Sequence, residues 1–233
     1  MEMTPLPGPP VRPIVRVLLV DDHRMFTQAL EGLLAGEAGI EPVGVAGSVD
    51  EALAQLDDVR PDVVLMDLDL PGANGIEGTR EVRRRRPDTA VVIVTSHDDP
   101  DLIIDAIRAG ACGYVLKTRA VDELVSIIRQ AAAGGMILSP AGVPQAIGAA
   151  RRPRTGRDRA PDDAQRLTDR EMDVLRHLAS GRSTEQIADS LYISVLTVRS
   201  HVKSILAKLG VHSKLEAVTY ALHLGLIEVS RPA

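Results

Sequence analysis

Four short apolar runs in the first half of the chain each stop on a residue that can do chemistry. Val63-Val64-Leu65-Met66 stops on Asp67, and Leu68-Asp69-Leu70-Pro71-Gly72-Ala73-Asn74-Gly75 follows. The run from Ile14 to Val20 stops on Asp21-Asp22, that from Ala90 to Val94 on Thr95-Ser96, and that from Gly113 to Leu116 on Lys117. Carboxylates gathered at one place repel and raise one another's pKa. A divalent, oxygen-seeking cation removes that penalty, and Mg²⁺ suits a few carboxylates plus waters. A hydroxyl and an ammonium beside the ion can hold the oxygens of a phosphoryl group. The chemistry this set allows is in-line attack by Asp67 on phosphorus, giving an acyl phosphate.

These groups meet only if the runs are neighbouring strands. The run before Asp67 is too short for a helix and reads as a strand buried on both faces, as in a parallel sheet. Pro42 to Ala46 adds a further strand. Between the strands, helices are predicted from Met25 to about Ala35, from the Ser48-x-x-Glu51 capping box onward, from Asn74 or Gly75 through Arg86, from Leu102 to Ala109, and from Val121 to about Ala133. Five β-α units in strict alternation predict an α/β, doubly wound parallel sheet. Ligands of such sheets bind outside the carboxyl ends of the strands, where every one of these polar groups falls.

Residues Ile14 to Ala133 resemble the receiver domain of a two-component response regulator. The resemblance rests on the Asp21-Asp22 pair, Val-Leu-Met-Asp67-x-x-x-Pro-Gly, Thr95 after the fourth strand and Lys117 after the fifth. It implies a flavodoxin-like fold with strand order 2-1-3-4-5. It implies Asp67 as acceptor of a phosphoryl group from a sensor histidine kinase. It implies Mg²⁺ held by the side chains of Asp22 and Asp67 and the carbonyl of Asp69, with Asp21 assisting. Thr95 and Lys117 would contact the phosphoryl oxygens, Tyr114 would turn inward on activation, and Asp69 with His97 would tune the lifetime of the phosphoryl group. Thr118 stands where many receivers carry Pro. A haloacid-dehalogenase-like phosphohydrolase is the rival, since Asp67-x-Asp69 fits its nucleophile motif. That family places its last acidic pair after the Lys, whereas Asp98-Asp99 here precede Lys117, and it leaves Asp21-Asp22 without a role.

Composition limits the alternatives. With 233 residues the chain can form one large domain or two small ones. Aromatic residues make up 2%, which argues against base stacking on aromatic rings. The single cysteine, Cys112, forms no internal disulfide and suits a reducing cytoplasm. No apolar run reaches membrane-spanning length, so no membrane association is expected. The Pro-rich stretch 1–13 reads as a disordered tail, and 136–166 as a linker whose 140–150 part forms a short helix before a polar, Pro-broken segment. The front region, residues 14–133, carries a net charge of −9, while residues 167–233 carry +1, so two domains with different partners are expected.

The rear region reads as four helices. Thr168-x-x-Glu171 caps the first, Ser183-x-x-Gln186 opens the second, Ser194 caps the third, and Ser213-x-x-Glu216 opens the fourth. In the third, Val198, Val202, Ile205, Leu206 and Leu209 form one apolar stripe opposite Arg199, Ser200, Lys203 and Ser204. Two helices joined by a short turn, the second with a basic outer face, make a helix-turn-helix suited to the DNA major groove. Leu167-Thr168-x-Arg170-Glu171-x-x-Val174-Leu175, Ile187-Ala188 and Thr197-Val198-Arg199-x-His201-Val202 resemble the LuxR-type DNA-binding domain over Leu167 to Glu228. Together the two resemblances point to the NarL/FixJ group of response regulators. They imply a cytoplasmic transcription regulator, not an enzyme, with a receiver at 14–135, a reader at 167–228 and a short tail at 229–233. Arg199, Ser200 and Lys203 would face base edges, Thr184 and Thr197 would lie near the backbone of promoter DNA, and the last helix would pair two copies as a homodimer. Val195-Leu196 stands where polar residues are usual. In the resting state the receiver is expected to dock on the reader and cover the recognition helix.

Overall fold

The computed structural model describes residues 14–137 and 167–227. The tails, the short helix expected at 140–150 and the polar connector lie outside the described residues. Five strands, β1 (Val15–Val20), β2 (Ile40–Ala46), β3 (Val63–Met66), β4 (Ala90–Thr95) and β5 (Gly113–Leu116), form one parallel sheet in the order β2-β1-β3-β4-β5. Between and after them run α1 (Arg24–Ala35), α2 (Val49–Val59), α3 (Gly75–Arg85), α4 (Pro100–Ala109) and α5 (Lys117–Ala132).

Alternation along each strand divides the core in two. Leu18, Val20, Val64, Met66, Val91 and Ile93 point to the side covered by α2, α3 and α4. Val17, Leu19, Val63, Leu65, Val92 and Val94 point to the side covered by α1 and α5, where Leu30, Leu34, Leu124 and Ile128 meet them. The helix ends follow local chemistry. Asn74 caps α3 by accepting from the Glu77 N–H, Asp99 caps α4, and Gly110 ends α4 in the left-handed region at φ 103°. At α2 the Ser48 hydroxyl caps as expected, but the Glu51 carboxylate reaches back to the Gly47 N–H rather than to that of Ser48. The start of α5 also differs from the sequence expectation. The helix begins at Lys117, four residues before Val121, because the chain turns directly from β5 with no capping side chain at Leu116.

The rear region holds α6 (Asp169–Ala179), α7 (Thr184–Leu191), α8 (Val195–Leu209) and α9 (Lys214–His223) around a core of Val174, Leu175, Leu178, Ile187, Val198, Val202, Ile205 and Leu209. Both expected capping boxes at Thr168 and Ser183 are complete. Leu215 departs from the expected pattern. Its spacing with Val218 and Ala221 suggests a place in the rear core, yet it joins the front region's apolar cluster with Ile103 and Ile107.

Candidate functional site

Pairing between β1, β2 and β3 fixes the acidic cluster. The Asp21 N–H donates to the Ala46 carbonyl at 2.9 Å and the Asp67 N–H to the Val20 carbonyl at 2.8 Å, so both acids leave the sheet at one edge. Asp67 is 2% exposed and Asp21 7%. The first turn of α3 lies directly behind the acceptor. An added Cβ at Gly75 would fall 1.9 Å from the Asp67 carbonyl oxygen, so only glycine permits this approach.

Lys117 reaches across from β5 to both buried acids, with Nζ 2.7 Å from Asp21 Oδ2 and 2.8 Å from Asp67 Oδ2. Its ammonium also stands 5.0 Å from the centre of the Phe26 ring, a cation–π contact. Burial works against the Lys117 charge, but hydrogen bonds and attraction from Asp21 and Asp67 outweigh it and hold its pKa above the ordinary lysine value. The other Asp67 oxygen, Oδ1, accepts from the Leu68 N–H at 2.8 Å.

His23, which the sequence reading passed over, completes the cluster. Its Nδ1 lies 3.1 Å from Asp21, 3.0 Å from Asp22 and 3.9 Å from Asp67. One potential ligand atom from each of these four residues falls within 4.8 Å of all the others. Three carboxylates in that compass suit a hard divalent cation, and receiver domains bind Mg²⁺ at this acidic pocket. The signal for His23 was its adjacency to Asp21-Asp22; it carries no periodicity or motif that marks it in a lone sequence.

Thr95 and Tyr114 are linked through His97. Thr95 is fully buried, and its hydroxyl oxygen accepts from the His97 N–H at 3.2 Å. The Tyr114 hydroxyl donates to the His97 carbonyl at 2.8 Å, and the ring is buried in this structure. Burial, with the Asp98, Asp99 and Asp69 carboxylates adding to it, pushes the Tyr114 phenol up to about 12. At the mouth of the pocket, His97 Nε2 and Asp69 Oδ2 stand 2.7 Å apart. The Lys117–Thr118 peptide bond is trans.

In the rear region Arg199, Ser200 and Lys203 share one exposed face of α8, opposite the buried Val198, Val202, Ile205 and Leu209. Thr197 is half-buried and its N–H donates to the Ser194 hydroxyl at 3.1 Å. Thr184 is 4% exposed, and its N–H donates to the Ala133 carbonyl at the end of α5. Beside it, Lys214 Nζ donates to the Gly134 carbonyl at 2.9 Å, and the Ser213 hydroxyl donates to the Ile107 carbonyl of α4 at 3.3 Å. Burial holds the Lys214 pKa below its ordinary value; the Arg199 and Arg83 guanidiniums act the same way, against the opposing pull of Glu185. The expectation of a covered recognition helix is therefore corrected. The front region covers the starts of α7 and α9, while the outer face of α8 stays open, because the contact runs through the C-terminal ends of α4 and α5.

Residues 17–129 match the family described as response regulator receiver domain, and residues 165–221 match the bacterial regulatory proteins of the luxR family. The chain is 37% identical to the DNA-binding transcriptional activator DevR/DosR of Mycobacterium tuberculosis, over 91% of this chain and 95% of that protein. It is 34% identical to the transcriptional regulatory protein LiaR of Bacillus subtilis, over 89% and 97%. A crystal structure of a LuxR-family two-component response regulator from Aurantimonas covers 57% of this chain and 94% of its own, with 35% identity and a TM-score of 0.54. A receiver fold with an acidic pocket, a helix-turn-helix and full-length relatives of the same build together place this chain among the NarL/LuxR-family two-component response regulators, as a transcription regulator with a receiver and a LuxR-type DNA-binding domain.

Proposed function

We propose that Asp67 accepts a phosphoryl group from a sensor histidine kinase and that this modification frees the rear domain to bind promoter DNA as a homodimer. The observation that carries the reading is the placement of a buried carboxylate, Asp67, against a lysine ammonium within an acidic pocket. Asp22 and Asp67, with the Asp69 carbonyl and Asp21 assisting, would hold Mg²⁺, which when bound offsets the negative charge of the incoming phosphoryl group. Asp67 forms the new O–P bond as the N–P bond to the kinase imidazole breaks. Lys117 is already charged beside Asp67 and can turn its N–H groups to the phosphoryl oxygens with little reorganisation.

The route to the reader runs through α4. A phosphoryl oxygen that takes the Thr95 hydroxyl withdraws it from the His97 N–H, and the same residue's carbonyl holds Tyr114. His97 and Tyr114 flank the start of α4, whose far end supplies the Ile107 carbonyl to Ser213. A shift of α4 thus weakens a contact that covers Thr184 and Lys214. With that cover gone, Thr184 would lie near the DNA backbone with Thr197, while Arg199, Ser200 and Lys203, whose face is already open, read base edges. The change is a shift between closed and open populations, so weak DNA binding without phosphate is expected. Incubation with a small phosphodonor and Mg²⁺ should add the mass of one phosphoryl group. An unchanged mass, or a gain that persists in Asp67→Asn, refutes the acceptor assignment.

A further inference from the structure

The two apolar residues that open α8 part ways. Val195 packs against the rear core, whereas Leu196 is 77% exposed. Leu196, Arg199, Ser200 and Lys203 stand at i, i+3, i+4 and i+7, so the leucine lies on the same outward stripe as the three polar residues assigned to base edges. It also sits at the N-terminal end of that stripe, the end of a recognition helix that reaches deepest among the bases. A large side chain held in water there makes no contribution to the fold.

We infer that Leu196 is a specificity-determining residue that packs against the C5-methyl group of a thymine in the major groove. This rests on the DNA-reading function proposed above. The chemistry that fits is narrow. Leucine neither donates nor accepts a hydrogen bond, so it cannot satisfy guanine, adenine or cytosine edges. The one apolar group that a base pair presents in the major groove is the thymine methyl. Arg199 and Lys203 on the same stripe can donate to guanine, so the stripe as a whole reads a mixed sequence in which the leucine marks a thymine.

The test uses the full-length protein with phosphodonor and Mg²⁺. Duplexes are selected from random sequence, and each thymine of the selected site is then replaced singly by deoxyuridine, which removes only the methyl group. At one position per half-site the wild-type chain should lose about fourfold in affinity, the worth of one buried methyl group, and Leu196→Ala should lose nothing there. Selection with Leu196→Asn should relax or change the base at that position alone. The assignment is overturned if no invariant thymine is selected, or if Leu196→Ala keeps the same deoxyuridine penalty as wild type. If the wild-type chain selects no duplex at all, the DNA-reading function itself falls and takes this assignment with it. Because Leu196 is exposed, both variants should melt with the wild-type protein.

Discussion

Replacing Leu215 with alanine should switch on DNA binding without phosphate. Leu215 belongs to α9 but is 1% exposed and joins the receiver's cluster with Ile103 and Ile107, so its side chain holds the two domains together more than it holds its own domain. Leu→Ala removes three carbons from that contact. At about 0.8 kcal/mol for each buried CH₂, the loss is roughly 2 kcal/mol, and every ~1.4 kcal/mol is a tenfold change in an equilibrium. The open-to-closed ratio should therefore rise by about 30-fold. When only the open form binds, apparent affinity follows the open fraction. The unphosphorylated variant should bind a promoter duplex up to ~30-fold more tightly than wild type, with the phosphorylated wild-type affinity as ceiling. Titration of a labelled duplex at fixed salt measures this. The gain must vanish when both proteins are phosphorylated. No gain in the unphosphorylated form, or an equal gain in both forms, would refute the reasoning that this contact restrains the reader.

Three further outcomes follow from the geometry. Lys117→Met leaves Asp21 and Asp67 without the ammonium that now sits within 2.8 Å of each; Mg²⁺ should bind roughly tenfold more tightly by titration calorimetry, because an internal cation no longer competes, while phosphoryl uptake slows. Arg199→Ala and Lys203→Ala should each weaken DNA binding by about 1–3 kcal/mol where they contact a base, with no change in melting temperature, since both are exposed. Glu171 is buried; burial raises its pKa, but Lys208 at 2.7 Å and the Thr168 N–H outweigh this and hold it below the ordinary value. Its stabilising contribution is thus complete above the ordinary glutamate range and lost as pH falls through the lowered pKa; in thermal melts Glu171→Gln should cost stability near neutrality and lessen the acid-induced loss.

The receiver was legible in the sequence because its strands leave little choice. The strands Val63–Met66 and Ala90–Thr95 are buried on both faces, and the first runs straight into Asp67 while the second ends on Thr95, polar residues that only a common sheet edge can use. The capping residues of the rear helices were equally plain. Less legible was the start of α5, since Lys117-Thr118-Arg119 carries neither an apolar period nor a cap. His23 went unmarked because imidazole has no positional signature of its own. Leu215 shows a deeper limit. Its spacing correctly predicts an inward-facing residue, but periodicity cannot say whether the covering surface belongs to the same domain or to another. The same limit hid the burial of Thr184, which sits at a helix start and is covered by the end of α5.

The account stands or falls on whether modification of Asp67 governs DNA reading. The direct measurement is the affinity of the full-length chain for a promoter duplex, with and without a small phosphodonor and Mg²⁺, in wild type and in Asp67→Asn. The account predicts tighter binding on phosphodonor addition in wild type and no change in the variant. An equal response in both proteins, or none in wild type whose mass shows the phosphoryl group attached, would contradict it.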